Sequence, residues 1–285
     1  LVYSAAVTPF LSDGRVDDVS VIKLLAWFKA NGCDGVILGG TTGEGPSLGT
    51  YEKRDLIRRA AENSLGMSLV LGTATQSLVE ALWLCHQAHE VQAEAVLVTP
   101  PSFYRESGQE GLVDWFSRLL DKSRTPVLLY NFPQRTMVEF APETVALLAK
   151  HENMLGLKDS SGNSKNLLDY AQAAPGKRLF VGDETLLVDA LAHGWSGTIC
   201  GAANVLGIWI KGVDEDFKKS PDSARAKLQL SMAPLIALRS APQPLTHKRI
   251  LHRLGIISSS AVRSPLLEIG FSTDHFEEVS AFLAH

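Results

Sequence analysis

From the start of the chain to about Val205, short apolar runs alternate with longer amphipathic ones. The short runs are Tyr3–Val7, Gly35–Leu38, Leu69–Leu71, Ala95–Val98, Val127–Tyr130, Leu155–Lys158, Leu179–Val181 and Thr198–Cys200. Their near-continuous apolar character predicts strands buried on both faces, as in a parallel sheet. The intervening stretches carry helical signals. YEKRDLIRRAAEN, Tyr51–Asn63, follows Thr50 as a candidate N-cap, with Lys53 where a capping box would place Glu. Ser77–Val91 opens with Ser-x-x-Glu, and Pro142–Lys150 holds its proline in the first turn, where a helix tolerates it. Lys165–Ala173 reads as a further helix, with Ser160 and Ser161 before it as turn and N-cap residues.

Eight such strand–helix units, repeating every 20–30 residues or so, favour a (β/α)8 barrel over a doubly wound sheet. Beyond Pro221 only helical patterns remain: Ser223–Arg239, Pro244–Leu254, a short one at Ser264–Glu268, and Asp274–Leu283. The expected organisation is a catalytic barrel over residues 1–220 and a C-terminal helical extension over 221–285.

Composition narrows the function. The 285 residues are 45% hydrophobic and 20% charged, with a net charge of -4 and no long run of either sign. That balance excludes nucleic acid or a polybasic membrane surface as the main partner. No apolar run reaches the length of a membrane span, and LVYSAAVTPF lacks the basic and apolar regions of a signal peptide. Cys33, Cys85 and Cys200 form no CxxC pair and fit no zinc spacing, so reduced core thiols in a cytoplasmic protein are expected.

In such a barrel the chemistry belongs at the C-terminal ends of the strands. The second strand leads into GGTTGEG, Gly39–Gly45, which is neither a Walker A loop nor a GxGxxG fingerprint. Its two threonines and their N–H groups suit a small carboxylate. The sixth strand ends at Lys158. One reading is a lysine that leaves the strand and pairs with Asp159 or solvent. The other is an amine nucleophile, desolvated and able to form a Schiff base with a ketone. Tyr130 closes the fifth strand, so parallel pairing would set its hydroxyl beside Lys158 to carry protons. Arg135 follows in the fifth-strand loop and suits a carboxylate, which its fork grips bidentately. His86 and His89 share a predicted helix outside the barrel, without a third metal ligand, and Asp159 and Asp183 converge with no further carboxylate. No metal site is expected.

GGTTGE, VLLYNFPQRT and GLKDSSGN, in this order and at these intervals, resemble the dihydrodipicolinate synthase/N-acetylneuraminate lyase family over essentially the whole chain. The resemblance implies a (β/α)8 barrel with a helical extension, usually a homotetramer built as a dimer of dimers. It implies class I aldolase chemistry on pyruvate or another 2-oxo acid plus an aldehyde, with no metal or organic cofactor. Lys158 matches the Schiff-base lysine and Tyr130 the proton-relaying tyrosine. Thr41 and Thr42 match the carboxylate-holding loop, and Thr42 also the hydroxyl that joins Tyr130 in the relay. Tyr104 most nearly matches a tyrosine that reaches across the dimer interface. Arg135 matches the arginine that binds the aldehyde's carboxylate, and Ile199 and Gly182 belong to the substrate-binding set. The leading expectation is a synthase condensing pyruvate with aspartate semialdehyde. An aldolase for 2-keto-3-deoxy sugar acids or 4-hydroxy-2-oxoglutarate is the alternative, and a non-catalytic 2-oxo acid sensor a more remote one. The DSSG after Lys158 departs from many synthases, and GEGPSL resembles the sugar-acid aldolases as much as the synthases. Thr50 and Lys53 stand where lysine-inhibited synthases commonly carry histidines, so weak or absent inhibition by lysine is expected.

Overall fold

A computed structural model describes residues 1–239, 243–268 and 276–283. Eight parallel strands close on themselves in sequence order. They are β1 (Val2–Ala5), β2 (Gly35–Leu38), β3 (Ser68–Gly72), β4 (Ala95–Val98), β5 (Val127–Asn131), β6 (Met154–Asp159), β7 (Arg178–Val181) and β8 (Gly197–Cys200). All eight predicted strands are present. Their alternation separates two cores. Residues such as Ile37, Val70, Leu97 and Leu128 fill the barrel interior. Their strand neighbours Val36, Leu71, Val96 and Leu129 face outward into a larger core beneath the helices. Both faces are buried, which is why the strands read as continuous apolar runs.

The N-terminal end of the barrel is plugged by Tyr3, whose hydroxyl donates to Glu94 at 2.7 Å and whose ring meets Phe180 at 5.4 Å. β1 is shorter than the predicted Tyr3–Val7. It leaves the ladder after Ala5, and the Val7 N–H is taken instead by the Asn204 side chain at 3.0 Å. Cys33, Cys85 and Cys200 are buried and unpaired with one another. Among the described residues no helix is long and apolar enough to cross a membrane.

Helix boundaries depart from expectation where local chemistry decides them. The helix at Thr50–Glu62 starts one residue early: Gly49 is the N-cap, and the Glu52 carboxylate accepts its N–H at 2.9 Å. Ser164 precedes Lys165–Ala173, while Ser161 is engaged elsewhere. The predicted Ser223–Arg239 helix is broken into Pro221–Leu230 and Met232–Arg239. Pro234 has no N–H to donate and its ring crowds the carbonyl four residues earlier, so the helix restarts at Met232. Gln243–Arg253 forms as expected within a residue. Ser264–Glu268 is a turn followed by irregular chain and not a helix. In the last predicted segment Phe276–Ser280 is helical, and residues 274 and 275 lie outside the described residues.

Candidate active site

Strand pairing places the central residues. Tyr130 on β5 is the register partner of Lys158 on β6, and Asn131 that of Asp159. Because side chains alternate along a strand, Lys158 and Tyr130 point into the barrel mouth while Asn131 and Asp159 point behind it. Lys158 is only 5% exposed. Its Nζ lies 4.2 Å from the centroid of the Tyr130 ring. Among the described residues it has no carboxylate or carbonyl partner. The reading in which Lys158 pairs with Asp159 therefore fails. The Asp159 carboxylate accepts from Asn131 Nδ2 and Ser161 Oγ, each at 2.7 Å, and from the Ser161 N–H at 3.1 Å. Burial pushes the Asp159 pKa up against these bonds. Asn131 in turn accepts the Phe140 N–H at 3.2 Å, so the DSSG segment serves as a brace behind the lysine.

The Thr-Thr loop stands opposite. Its glycines are dictated by close approach: a Cβ on Gly45 would sit 1.9 Å from the Gly39 carbonyl oxygen. The two threonines diverge. Thr41 Oγ1 lies 3.4 Å from the Tyr130 hydroxyl. Thr42 is buried on the other side, where its Oγ1 would meet a Cβ built on Gly201 at 3.5 Å. The hydroxyl next to Tyr130 is thus that of Thr41, not Thr42 as the family resemblance implied.

Two cavities open on either side of Tyr130. One of 290 Å³ is lined by Lys158, Thr42, Tyr130, Arg135, Gly182 and Ile199, among others. The other, of 520 Å³, is lined by Thr41, Glu44, Tyr130, Arg135 and Gln243, among others. Seven of the eight residues singled out from the sequence thus line one or both. A 780 Å³ groove on the barrel flank, around Gln109 and Glu139, contains none of them. Gly182 is required to be small, since a Cβ there would stand 1.9 Å from Ser160 Oγ. Arg135 sits on the short helix Pro133–Thr136, exposed, and has no carboxylate partner among the described residues. Gln134 ties that helix to the Ser161 carbonyl. Tyr104 is the exception. It is 70% exposed, packs edge-on against Phe103 at 5.0 Å, and lines neither cavity within one chain.

Sequence reasoning missed Arg239, at the end of Met232–Arg239, which also lines the Lys158 cavity. Its guanidinium holds Asp183 at 2.6 Å and Glu184 at 3.1 Å. Burial works to raise the Asp183 pKa, but Arg239 and Thr185 outweigh it and hold the carboxyl below its ordinary range. Burial pushes Glu184 up. Asp183, which the sequence did not place in a metal site, is committed to this guanidinium. Nothing local in the sequence indicated that its partner comes from a helix 56 residues later.

An unpaired amine beside a phenol and a hydroxyl, at the C-terminal mouth of a parallel (β/α)8 barrel, defines a Schiff-base lyase of the class I aldolase type. The chain belongs to the dihydrodipicolinate synthetase family, whose model matches residues 1–285. It is 32% identical over 264 residues to 4-hydroxy-tetrahydrodipicolinate synthase of Wolbachia pipientis wMel, covering 93% of this chain and 89% of that one. It is 33% identical over 273 residues to the synthase of Listeria innocua, covering 94% and 92%. Among solved structures it is similar to the chloride-inhibited dihydrodipicolinate synthase of Acinetobacter baumannii complexed with pyruvate. There the TM-score is 0.91 at 27% identity, covering 98% of this chain and 96% of that one. A Bacillus anthracis dihydrodipicolinate synthase gives a TM-score of 0.88 at 29% identity, covering 99% and 95%.

Proposed function

We propose that the protein is a 4-hydroxy-tetrahydrodipicolinate synthase, condensing pyruvate with aspartate semialdehyde. The carrying observation is the Lys158 amine, buried, unpaired and 4.2 Å from the Tyr130 ring. Lys158 Nζ attacks C2 of pyruvate to give a carbinolamine, which loses water to leave a protonated imine. The imine draws electrons from C3, and loss of a C3 proton gives an enamine. C3 then attacks the aldehyde carbon, and the aldehyde oxygen takes up a proton. Attack of the semialdehyde's own amine on C2 releases Lys158 and closes the ring. Tyr130, with Thr41 as its hydroxyl neighbour, carries protons at the carbinolamine and enamine steps. Thr42 and the loop N–H groups hold the pyruvate carboxylate, with Ile199 and Gly182 as walls. Arg135, uncommitted to any carboxylate among the described residues, takes that of the semialdehyde.

Pyruvate and borohydride should leave a reduced adduct on Lys158, and turnover should follow with aspartate semialdehyde. Faster turnover with a 2-keto-3-deoxy sugar acid would move the assignment to that aldolase class. We further propose a cytoplasmic homotetramer in which a partner subunit brings Tyr104 to the relay. Inhibition by lysine is expected to be weak. The Lys53 ammonium is buried on the Thr73 carbonyl at 2.7 Å, and burial pushes its pKa down to about 8. Activity measured at millimolar lysine checks this.

A further inference from the structure

Lys248, on helix Gln243–Arg253, is wholly buried, as is its partner Glu44 on the loop after β2, at 0% and 1% exposure. The Lys248 ammonium bonds Glu44 Oε1 and the Ala261 carbonyl, the latter at 2.7 Å, and lies 4.1 Å from the centroid of the Phe10 ring. The other Glu44 oxygen accepts the Arg263 N–H at 2.8 Å. Arg263 reaches back to the barrel, donating to the Gly14 carbonyl at 2.7 Å and the Ser47 carbonyl at 3.0 Å and pairing with Glu52. Both Glu44 oxygens are thus held by the C-terminal extension.

Glu44 is also the sixth residue of GGTTGEG. It adopts the left-handed conformation at φ 55°, unusual for a residue with a side chain, and its N–H closes onto the Thr41 carbonyl at 3.1 Å. A buried ion pair is weak support for stability, because desolvation offsets the attraction. Its best-attested use is to fix one arrangement against others. Here the arrangement fixed is the turn that presents Thr41 to Tyr130 and Thr42 to the Lys158 cavity.

We propose that Lys248 is a positioning residue for the 2-oxo acid: through Glu44 it clamps the Thr41–Thr42 turn in its binding geometry, so the C-terminal extension is part of the pyruvate site. This rests on the Schiff-base reading. Neither residue touches the reacting atoms. Removing the pair should therefore weaken pyruvate binding and leave the amine chemistry in place.

The test is borohydride trapping across a pyruvate titration, with thermal melting in parallel, on wild type, Glu44→Gln and the double variant E44Q/K248M. Burial already holds the Lys248 pKa down at about 8, so in Glu44→Gln the amine can sit neutral against the amide and the fold survives. The double variant removes both charges together. The expected result is a rise of tenfold or more in half-saturating pyruvate for both, with the adduct at saturation still on Lys158 and KM for the aldehyde within twofold. Lys248→Met added to Glu44→Gln should bring little further rise, because both act on one turn. A purely structural role would lower the melting temperature and leave half-saturating pyruvate within twofold of wild type, and that outcome overturns the proposal. Absence of any adduct in wild type at saturating pyruvate would instead remove the Schiff-base reading, and this proposal with it.

Discussion

Among the described residues Tyr130 has one hydroxyl neighbour, Thr41 at 3.4 Å, and the relay should be read from that contact. Thr41→Val is expected to lower kcat by roughly 100-fold, the low end for loss of an acid–base partner, with little change in KM for pyruvate. Thr42→Val should raise KM for pyruvate more than it lowers kcat. Steady-state kinetics on the two variants decides the assignment. The sequence could place both threonines in the loop but not their divergence, because that depends on the turn made possible by Gly39 at φ +65° and Gly45 pressed on its carbonyl. Lys158 and Tyr130 were legible because strand ends and parallel register are simple to project.

His247 carries a second residue-scale prediction. It is fully buried, its Nδ1 bonds the Gln243 carbonyl, and among the described residues its Nε2 has no hydrogen-bond partner. Burial pushes its pKa down to about 4. The unfolded imidazole, with a pKa near 6.5, then binds a proton that the folded one refuses between about pH 6.5 and pH 4. Stability should fall with pH across that window by up to about 3 kcal/mol from this group alone. Urea unfolding at several pH values should show a shallower acid loss in His247→Leu; an identical pH slope would contradict it.

Among the elements, the loops after β2 and β7 are each tied to the C-terminal extension by a charge cluster. Arg239 holds Asp183 and Glu184 at the second of these points. Arg239→Met would strand two largely buried carboxylates. It is expected to cost about 2 kcal/mol, less than the loss of a fully buried partner because the pair is partly exposed. Asp183 is held below its ordinary pKa, so its contribution is present above the unfolded carboxyl range and lost as pH falls through the folded value. The variant should therefore lose its stability deficit in acid, as chemical denaturation near pH 3 and at pH 7 would show. Element existence was largely legible from periodicity, whereas boundaries were not. The one-residue shift at Gly49 came from Glu52 finding its N–H, and the break at Ser231 from Pro234. Ser264–Glu268 failed as a helix because five residues close too few hydrogen bonds to offset the cost of nucleation.

For the whole molecule, the count of eight strand–helix units was enough to anticipate a closed barrel, and burial on both faces explains the continuous apolar runs. What a single chain's sequence did not carry was the meeting of distant parts, such as Lys248 with Glu44 across 204 positions. Tyr104, exposed at 70%, belongs to this scale too. In a homotetramer with a shared relay, Tyr104→Phe should lower kcat by roughly tenfold or more while the melting temperature holds. Sedimentation should give four subunits per particle, and a monomer of full activity would contradict the shared-relay account.

The proposed chemistry turns on Lys158 as the amine that binds the 2-oxo acid. The most direct measurement is peptide mass mapping after incubation with saturating pyruvate and borohydride. The predicted result is one reduced pyruvate adduct, on the peptide bearing Lys158, absent from Lys158→Met. An unmodified Lys158 peptide, or an adduct confined to another lysine, would contradict it.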